Sequence, residues 1–362
     1  MREWTDDAGL ARQFAAHAQA ALSRAPLNAA ICDIVGGDMR LRRLLRHAPH
    51  EQRLPVLLLA AVHFLVLGEP DEPLAAWYPT VVDSPRDPFD PELEPTLVSF
   101  LGEHHDAIAS LVSSRHVQTN EVGRGALFVP SLAAVAAERG RPIAHLDVGT
   151  SAGLNLLLPR LRITYVTESG DEHVVGDGPL ELTCGVRGEL GVPPPTRPPP
   201  IARSIGVDPR PIDLDDVDER RWLAACCWPD ERLRFERLCA AIELARSTDL
   251  DVRGGTTADL VGLIDELPAD EHPVVTTSWV MNYMSSADRR TWLEDLDTIG
   301  AARDLDWVFA ESPALTPELP HPSDLAGDHV TAVVHVAWRA GARTTTPVAR
   351  AHPHGHWIHG LP

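Results

Sequence analysis

The sequence predicts an α/β protein: an open, mostly parallel sheet with an antiparallel carboxy-terminal hairpin, preceded by a helical domain. Three observations carry this reading. From residue 142 to residue 312, short β-branched apolar runs alternate with helical stretches, the pattern of strand–helix–strand units. Residues 331–339 then alternate in polarity and turn at 340–343 toward a return strand. Ahead of Pro142 there is no convincing strand. The expected division is a helical lead-in or lid domain at 1–140 and an α/β domain at 141–362, the latter carrying a β insertion at 161–200.

In the first part, Leu10, Phe14, Ala18 and Leu22 recur at helical spacing, as do Leu41, Leu44 and Leu45. LPVLLLAAVHFLVL, residues 54–67, is too short to span a bilayer and contains His63; it reads as a buried helix. Prolines punctuate residues 70–95, and helices follow at Leu97–Ser114 and Ala126–Arg139. Residues 144–148 then read as a buried parallel strand, GTSAG as a tight turn, and Leu154–Leu158 as the start of a helix that Pro159 ends. The insertion reads as short antiparallel strands at Leu161–Thr167, His173–Gly176 and Leu180–Val186, closed by the stiff connector VPPPTRPPP. Further strands are expected at 202–208, 250–255, 273–279 and 305–312, with helices around 218–227, 230–246 and Asp288–Ile299.

Composition narrows the function. The formal net charge of −20 argues against nonspecific binding to nucleic acid or anionic membrane. All 32 basic residues are arginine. Without lysine there is no Schiff base, no pyridoxal-phosphate lysine and no Walker A loop. The cysteines Cys32, Cys184, Cys226, Cys227 and Cys239 are odd in number and form no C-x-x-C pair, and the acidic start lacks the apolar core of a signal peptide. A reduced, cytoplasmic protein acting on a small molecule is expected. The oligomeric state is left open.

The stretch AHLDVGTSAGLNLLL, residues 144–158, places a ligand site at the carboxyl end of a strand. Its D-V-G-T-S-A-G resembles the (D/E)-x-G-x-G-x-G cofactor loop of class I methyltransferases, which bind S-adenosylmethionine on a Rossmann-like sheet. Asp147, Gly149 and Gly153 match, and Ser151 replaces the middle glycine. The resemblance implies that the loop approaches the methionine part of the cofactor. It implies that a carboxylate near the strand end helps hold the cofactor's ammonium group and that an acid ending the second strand takes the ribose hydroxyls. Asp208, in I-G-V-D-P, occupies that place, but about 55 residues beyond Gly153 rather than about 20, so the insertion must loop out. Thr256 and Thr257 follow the third strand, where the pattern puts adenine contacts. Asn155, Ser278 and Trp279 complete the expected cofactor set.

Other chemistries compete for the same residues. Gly149 to Gly153 also spell the G-x-S-x-G of a serine hydrolase, similar to the G-T-S-x-G of patatin-like lipases, with Asp177 and His354 downstream. That reading needs strands before the turn and a glycine-rich oxyanion loop, and neither is visible. A nicotinamide dehydrogenase needs G-x-G-x-x-G, which Gly149, Ser151 and Leu154 fit poorly. A non-catalytic binder of S-adenosylmethionine or a nucleotide is the remaining alternative. The order of the motifs QRLPVLLLAAVHFLVL, VQTNEVGR, LDVGTSAGLNLLL, GVDPRPID, RWLAACCWP and HPHGHW resembles, nearly end to end, an uncharacterised actinobacterial domain-of-unknown-function family (DUF2332). This resemblance implies that the segments belong to one arrangement, VQTNEVGR included.

VQTNEVGR groups Asn120, Glu121 and Arg124; either Thr119 or Asn120 caps the next helix, or the segment forms a polar wall that holds substrate. HPHGHWIH brings His352, His354 and His356 together to supply a base or to pack, and no metal is expected there, since Pro353 and Gly355 disfavour regular strand geometry. Cys226 and Cys227 read as helix core, and the acidic run 213–219 as a helix start. Trp279 and Tyr283 either pack in the core or line the pocket near the sulfonium, where aromatic faces suit a cation. Glu311, at the end of the fifth strand, is structural or a general base. The expected catalytic groups are Glu311, His354, Glu121 and Tyr283.

Overall fold

The computed structural model describes residues 6–325 and 330–361. In chain order the helices are α1 (Asp7–Ala21), α2 (Pro26–Gly37), α3 (Met39–Arg42), α4 (Pro55–Gly68), α5 (Leu93–Glu103), α6 (His105–Ser114), α7 (Gly125–Arg139), α8 (Val217–Ala225), α9 (Arg232–Arg246), α10 (Leu260–Asp265) and α11 (Ser286–Ala302). The strands are β1 (Ile143–Val148), β2 (Leu161–Thr167), β3 (Glu172–Val175), β4 (Leu180–Arg187), β5 (Ile201–Asp208), β6 (Asp251–Gly254), β7 (His272–Ser278), β8 (Leu305–Glu311), β9 (Thr331–Arg339), β10 (Ala342–Ala351) and β11 (Trp357–Gly360).

Two compact units emerge: residues up to Thr119 together with Asp213–Ile242, and Asn120–Ile212 together with Glu243 onward. The boundary expected at 140 therefore falls at 119. The reason is α7, which packs on strands of the second unit, while α8 and most of α9 belong with the first.

The first unit is helical. Its centre is α4, buried on nearly every side, as its unbroken apolar sequence requires. His63 within it is a satisfied core histidine. One ring nitrogen reaches the carbonyls of Ala225 and Cys227 at 3.1 Å each, and the other meets the Thr80 hydroxyl at 2.8 Å. The single helix expected over 97–114 is two, α5 and α6, broken at His104. Asp216 caps α8 by accepting from the N–H groups of Asp218 and Glu219, which accounts for the acidic run.

The second unit holds an eleven-stranded sheet in the order β3-β2-β4-β11-β10-β9-β8-β7-β1-β5-β6. Pairings among β6, β5, β1, β7 and β8 are all parallel, with β1 between β5 and β7. β9 runs antiparallel to β8 and forms the expected hairpin with β10. The large, mostly parallel sheet predicted from the alternation of strands and helices is thus present. The insertion departs from expectation. β2 pairs antiparallel with β3 but parallel with β4, and β4 joins the main sheet through β11, a short strand not expected from the sequence. The 161–200 segment extends the sheet rather than standing apart from it.

The link between β1 and β2 is folded too compactly for a flat sheet, which therefore curls. Six strands separate β2 from β1, about 33 Å if laid flat. Residues 149–160 alone connect them, through a turn and a 3₁₀ helix at Leu154–Arg160, the latter covering about 14 Å. The curl lets α7 pack on β7 and β8 and also on β4. α7 is accordingly buried from Gly125 through Leu132. Pro130 lies inside it and cannot donate to the carbonyl of Ala126. The Tyr165 hydroxyl on β2 donates to that carbonyl instead, at 2.8 Å. On the opposite face, α10 and α11 cover Leu146, Val148, Val275, Trp307 and Phe309.

Candidate functional site

In an open parallel sheet the crevice for a ligand lies beyond the carboxyl ends of the strands, where the strand order reverses. Here that point is the boundary of β1 and β7. Asp147 is buried at the end of β1. It accepts from the Thr276 hydroxyl of β7 at 2.7 Å and from Asn155 Nδ2 at 3.3 Å. Because the Thr276 proton goes to the carboxylate, its oxygen accepts from His145 Nε2, 2.8 Å away. Burial raises the Asp147 carboxyl to about 6 despite these bonds. The carbonyl oxygen of the Asn155 side chain is buried with no hydrogen-bond partner.

The turn after β1 has positive φ at Gly149 (76°), Ser151 (56°) and Gly153 (74°). Ser151 thus holds the backbone shape a middle glycine would adopt more easily. A Cβ at Gly149 would lie 2.2 Å from a Val280 methyl, so that residue must be glycine on two counts. The turn leads into a short 3₁₀ helix with Pro159 inside it, not the α-helix expected; it is too short to present the end of a helix dipole to a ligand. Asp208, at the end of β5, closes the turn from the side. Its Oδ2 accepts the Ser151 N–H at 2.9 Å, and Oδ1 accepts the Arg210 N–H at 2.8 Å. The insertion does pass out and around, and leaves Asp208 beside the loop.

Residues 120–124 of VQTNEVGR meet the glycine turn and the end of β7. Neither Thr119 nor Asn120 caps the next helix: α7 has no side-chain cap, and Glu121 caps the 3₁₀ turn at 122–124 ahead of it, accepting the Gly123 N–H at 2.9 Å. Asn120 donates instead to the carbonyl of Thr150 in the glycine turn, at 2.9 Å. Buried Arg124 donates to the Pro353 carbonyl at 2.8 Å, to the Ser278 carbonyl at 3.1 Å and to the Ser278 hydroxyl at 3.0 Å. Its guanidinium also lies 5.9 Å from the Trp279 ring centroid. One side chain therefore joins the start of α7, the end of β7 and the histidine turn. In that turn the rings of His352 and His356 stack at 4.4 Å, and His354 Nδ1 lies 3.6 Å from a Glu121 carboxylate oxygen. Gly355 makes the approach feasible, since a Cβ there would collide with the Gly123 carbonyl at 2.1 Å.

Glu311 ends β8 fully buried. Oε1 accepts the Val280 N–H at 3.1 Å and the Met281 N–H at 3.4 Å, while Oε2 has no hydrogen-bond partner. Burial pushes its carboxyl up to about 7, and the backbone donors and the Arg124 charge offset that only in part. The Asn282 side-chain oxygen, next along the same turn, is also a buried acceptor without a donor.

Two further expected members take local roles of their own, Thr256 next to Gly255, whose N–H donates to the Asp208 carbonyl at 2.9 Å. Tyr283 is 69% exposed, turned outward where the 3₁₀ turn at 281–283 ends, and does not line a buried pocket. Thr256 caps a turn with Asp259, its N–H donating to that carboxylate at 2.7 Å. Thr276, whose hydroxyl donates to Asp147, is an addition that sequence reasoning missed. Its only signal is polarity inside an otherwise apolar strand.

The chain belongs to the family described as uncharacterized protein conserved in bacteria (DUF2332), which matches residues 10–359 and so spans both units. No curated protein matches the chain. Among the described residues no helix is long and apolar enough to cross a membrane.

Proposed function

We propose that the protein is an S-adenosylmethionine-dependent methyltransferase acting on a small-molecule acceptor. The observation that carries the reading is the meeting of Asp208 with the glycine turn. It places an acid from the second parallel strand beside the loop of the first, despite the long insertion. The order β6-β5-β1-β7-β8 supports it, being the 3-2-1-4-5 arrangement of doubly wound dinucleotide-binding sheets. So does the left-handed backbone at Ser151.

The residues fit the cofactor. Each Asp208 oxygen accepts one N–H and retains a lone pair for a ribose hydroxyl. The oxygens of Asp147 are already engaged, so the orphaned Asn155 oxygen is the better partner for the ammonium group. When bound, the cofactor supplies an electrophilic methyl on a sulfonium. The protein's own part is alignment, exclusion of water and removal of the acceptor's proton. Glu311 is the assigned base: its pKa lies near neutrality and Oε2 is unpaired. Glu121 orients His354, and Arg124 fixes the wall against β7.

Calorimetry with S-adenosylmethionine and S-adenosylhomocysteine tests this. One equivalent of each is expected to bind, and Asp208→Ala is expected to weaken both by tenfold or more. Absence of binding by either sinks the proposal. Ser151→Gly is expected to keep cofactor binding and to change stability by no more than about 1 kcal/mol, because relief of the positive φ offsets the added chain entropy. Labelling of Ser151 by a fluorophosphonate would instead establish the hydrolase. A second reading, cofactor binding without transfer, draws on Val280, whose methyls fill the space over Gly149. Binding with no turnover on any acceptor would select it.

A further inference from the structure

We propose that the first unit carries a divalent-metal site formed by Glu69, Glu72 and His104. One ligand atom from each lies within 4.8 Å of the other two, the spacing of donors around a single ion. The donors are prepositioned by backbone structure. Glu69 closes α4, its N–H donating to Leu65, and the Glu72 N–H donates to the Glu69 carbonyl at 3.1 Å, so both carboxylates come from one turn. His104 is the residue at which α5 gives way to α6. Its N–H donates to the Phe100 carbonyl, its own carbonyl accepts from Ile108, and its ring lies 4.3 Å from the Phe100 ring.

The imidazole is the most enclosed of the three groups, its side chain 17% exposed. His104 Nε2 is buried without a hydrogen-bond partner and faces a Glu72 carboxylate oxygen at 3.4 Å. A buried ring nitrogen next to a carboxylate that it does not hydrogen-bond is an arrangement an ion completes. Beside it lies a concavity of about 410 Å³ lined by residues 68–73, with room for the waters that three protein ligands leave to be supplied. Arg221 packs its guanidinium against Gly68 and over the Phe64 ring and pairs with Asp218 at 3.6 Å. Two carboxylates and an imidazole are a borderline donor set, suited to Zn²⁺ or Mn²⁺ rather than to Ca²⁺ or a soft ion. In the sequence the signal is G-E-P-D-E-P followed a helix later by E-H-H-D, far quieter than the histidine run at 352–356.

Equilibrium dialysis of the full chain against Zn²⁺, with metal quantified by mass spectrometry, decides the matter. The wild type is expected to bind one equivalent more than Glu72→Gln, and His104→Asn is expected to lose the same equivalent. His354→Ala is expected to retain it, since its imidazole lies in the other unit. Both loss variants are conservative in size, and circular dichroism verifies their fold; if either unfolds, Glu69→Gln replaces it. Equal Zn²⁺ uptake by wild type and variants, or none by the wild type, overturns the site.

Discussion

Glu311→Gln is expected to stabilise the protein by about 3 kcal/mol at pH 8, while slowing methyl transfer by roughly 10²–10⁴-fold. The two effects have one source. The Glu311 carboxyl is raised from 4.5 to about 7, first by burial, with the Val280 and Met281 N–H groups and the Arg124 charge compensating only partly. A carboxylate whose folded pKa exceeds its unfolded value weakens the fold where it is charged. Below pH 4.5 it is protonated in both states and carries no penalty. Between pH 4.5 and about 7 the folded chain keeps a proton that the unfolded chain has lost, so stability falls as pH rises. Above about 7 the whole penalty is present. Glutamine keeps an oxygen for the two N–H groups and stays neutral, so the variant should gain nothing at pH 4 and most at pH 8. Urea titrations at both pH values measure the gap. An equal gap at the two would refute the burial argument. Unchanged turnover in the variant would reduce Glu311 to a clamp on the 280–281 backbone.

That residue illustrates what is legible in the sequence. Parallel strands buried on both faces are nearly continuous apolar runs, so β1, β7 and β8 can be read directly, as can the buried end of β5 at Ile205–Val207, and their ends locate Asp147, Asp208, Ser278 and Glu311. β11 cannot. Four residues of W-I-H-G carry no period, and they form a strand only because β4 and β10 flank them. The parallel pairing of β2 with β4 is equally hidden. Alternating polarity reports a half-exposed strand and says nothing of its direction, and the tight turn at 169–171 fixes only the β2–β3 pair.

Within the candidate site, residue types are legible where they end strands, and contacts are not. VQTNEVGR announces polar groups ahead of a helix. That Asn120 reaches Thr150, or Arg124 both Ser278 and Pro353, depends on the curl of the sheet around α7. The curl depends in turn on the short link between β1 and β2. The outward turn of Tyr283 is the converse case: spacing puts it one helical turn from Trp279, but φ of 56° at Trp279 breaks the helix that spacing assumes.

Asp306→Asn is expected to cost about 3–5 kcal/mol and leave the proposed cofactor site intact. Asp306 is fully buried at the start of β8. It accepts from His272 Nε2 and His335 Nε2 at 2.5 Å each and from Arg339 Nη2 at 3.1 Å, and Arg339 Nη1 lies 2.9 Å away as an ion pair. This Asp–His–His–Arg cluster has the look of a catalytic centre, but it lies at the opposite end of the strands from Ser278 and Glu311. Both of its carboxylate oxygens are engaged, and an asparagine amide would turn an N–H₂ toward the donors on one of them. Burial would raise the carboxyl, yet the bonds from His272, His335 and Arg339 outweigh it and hold the group well below its ordinary 3.8. The sign is therefore the reverse of that for Glu311. The contribution of Asp306 itself is complete above pH 3.8 and is lost as pH falls toward the folded value, so the gap between wild type and variant should be full at pH 8 and close in strong acid. Guanidinium melts from pH 8 into acid measure it. Calorimetry on the folded variant should still find S-adenosylhomocysteine bound. A variant that keeps its stability but loses the ligand would move the functional site to the wrong end of the sheet, and the assignment of Asp208, Asn155 and Glu311 would fall with it.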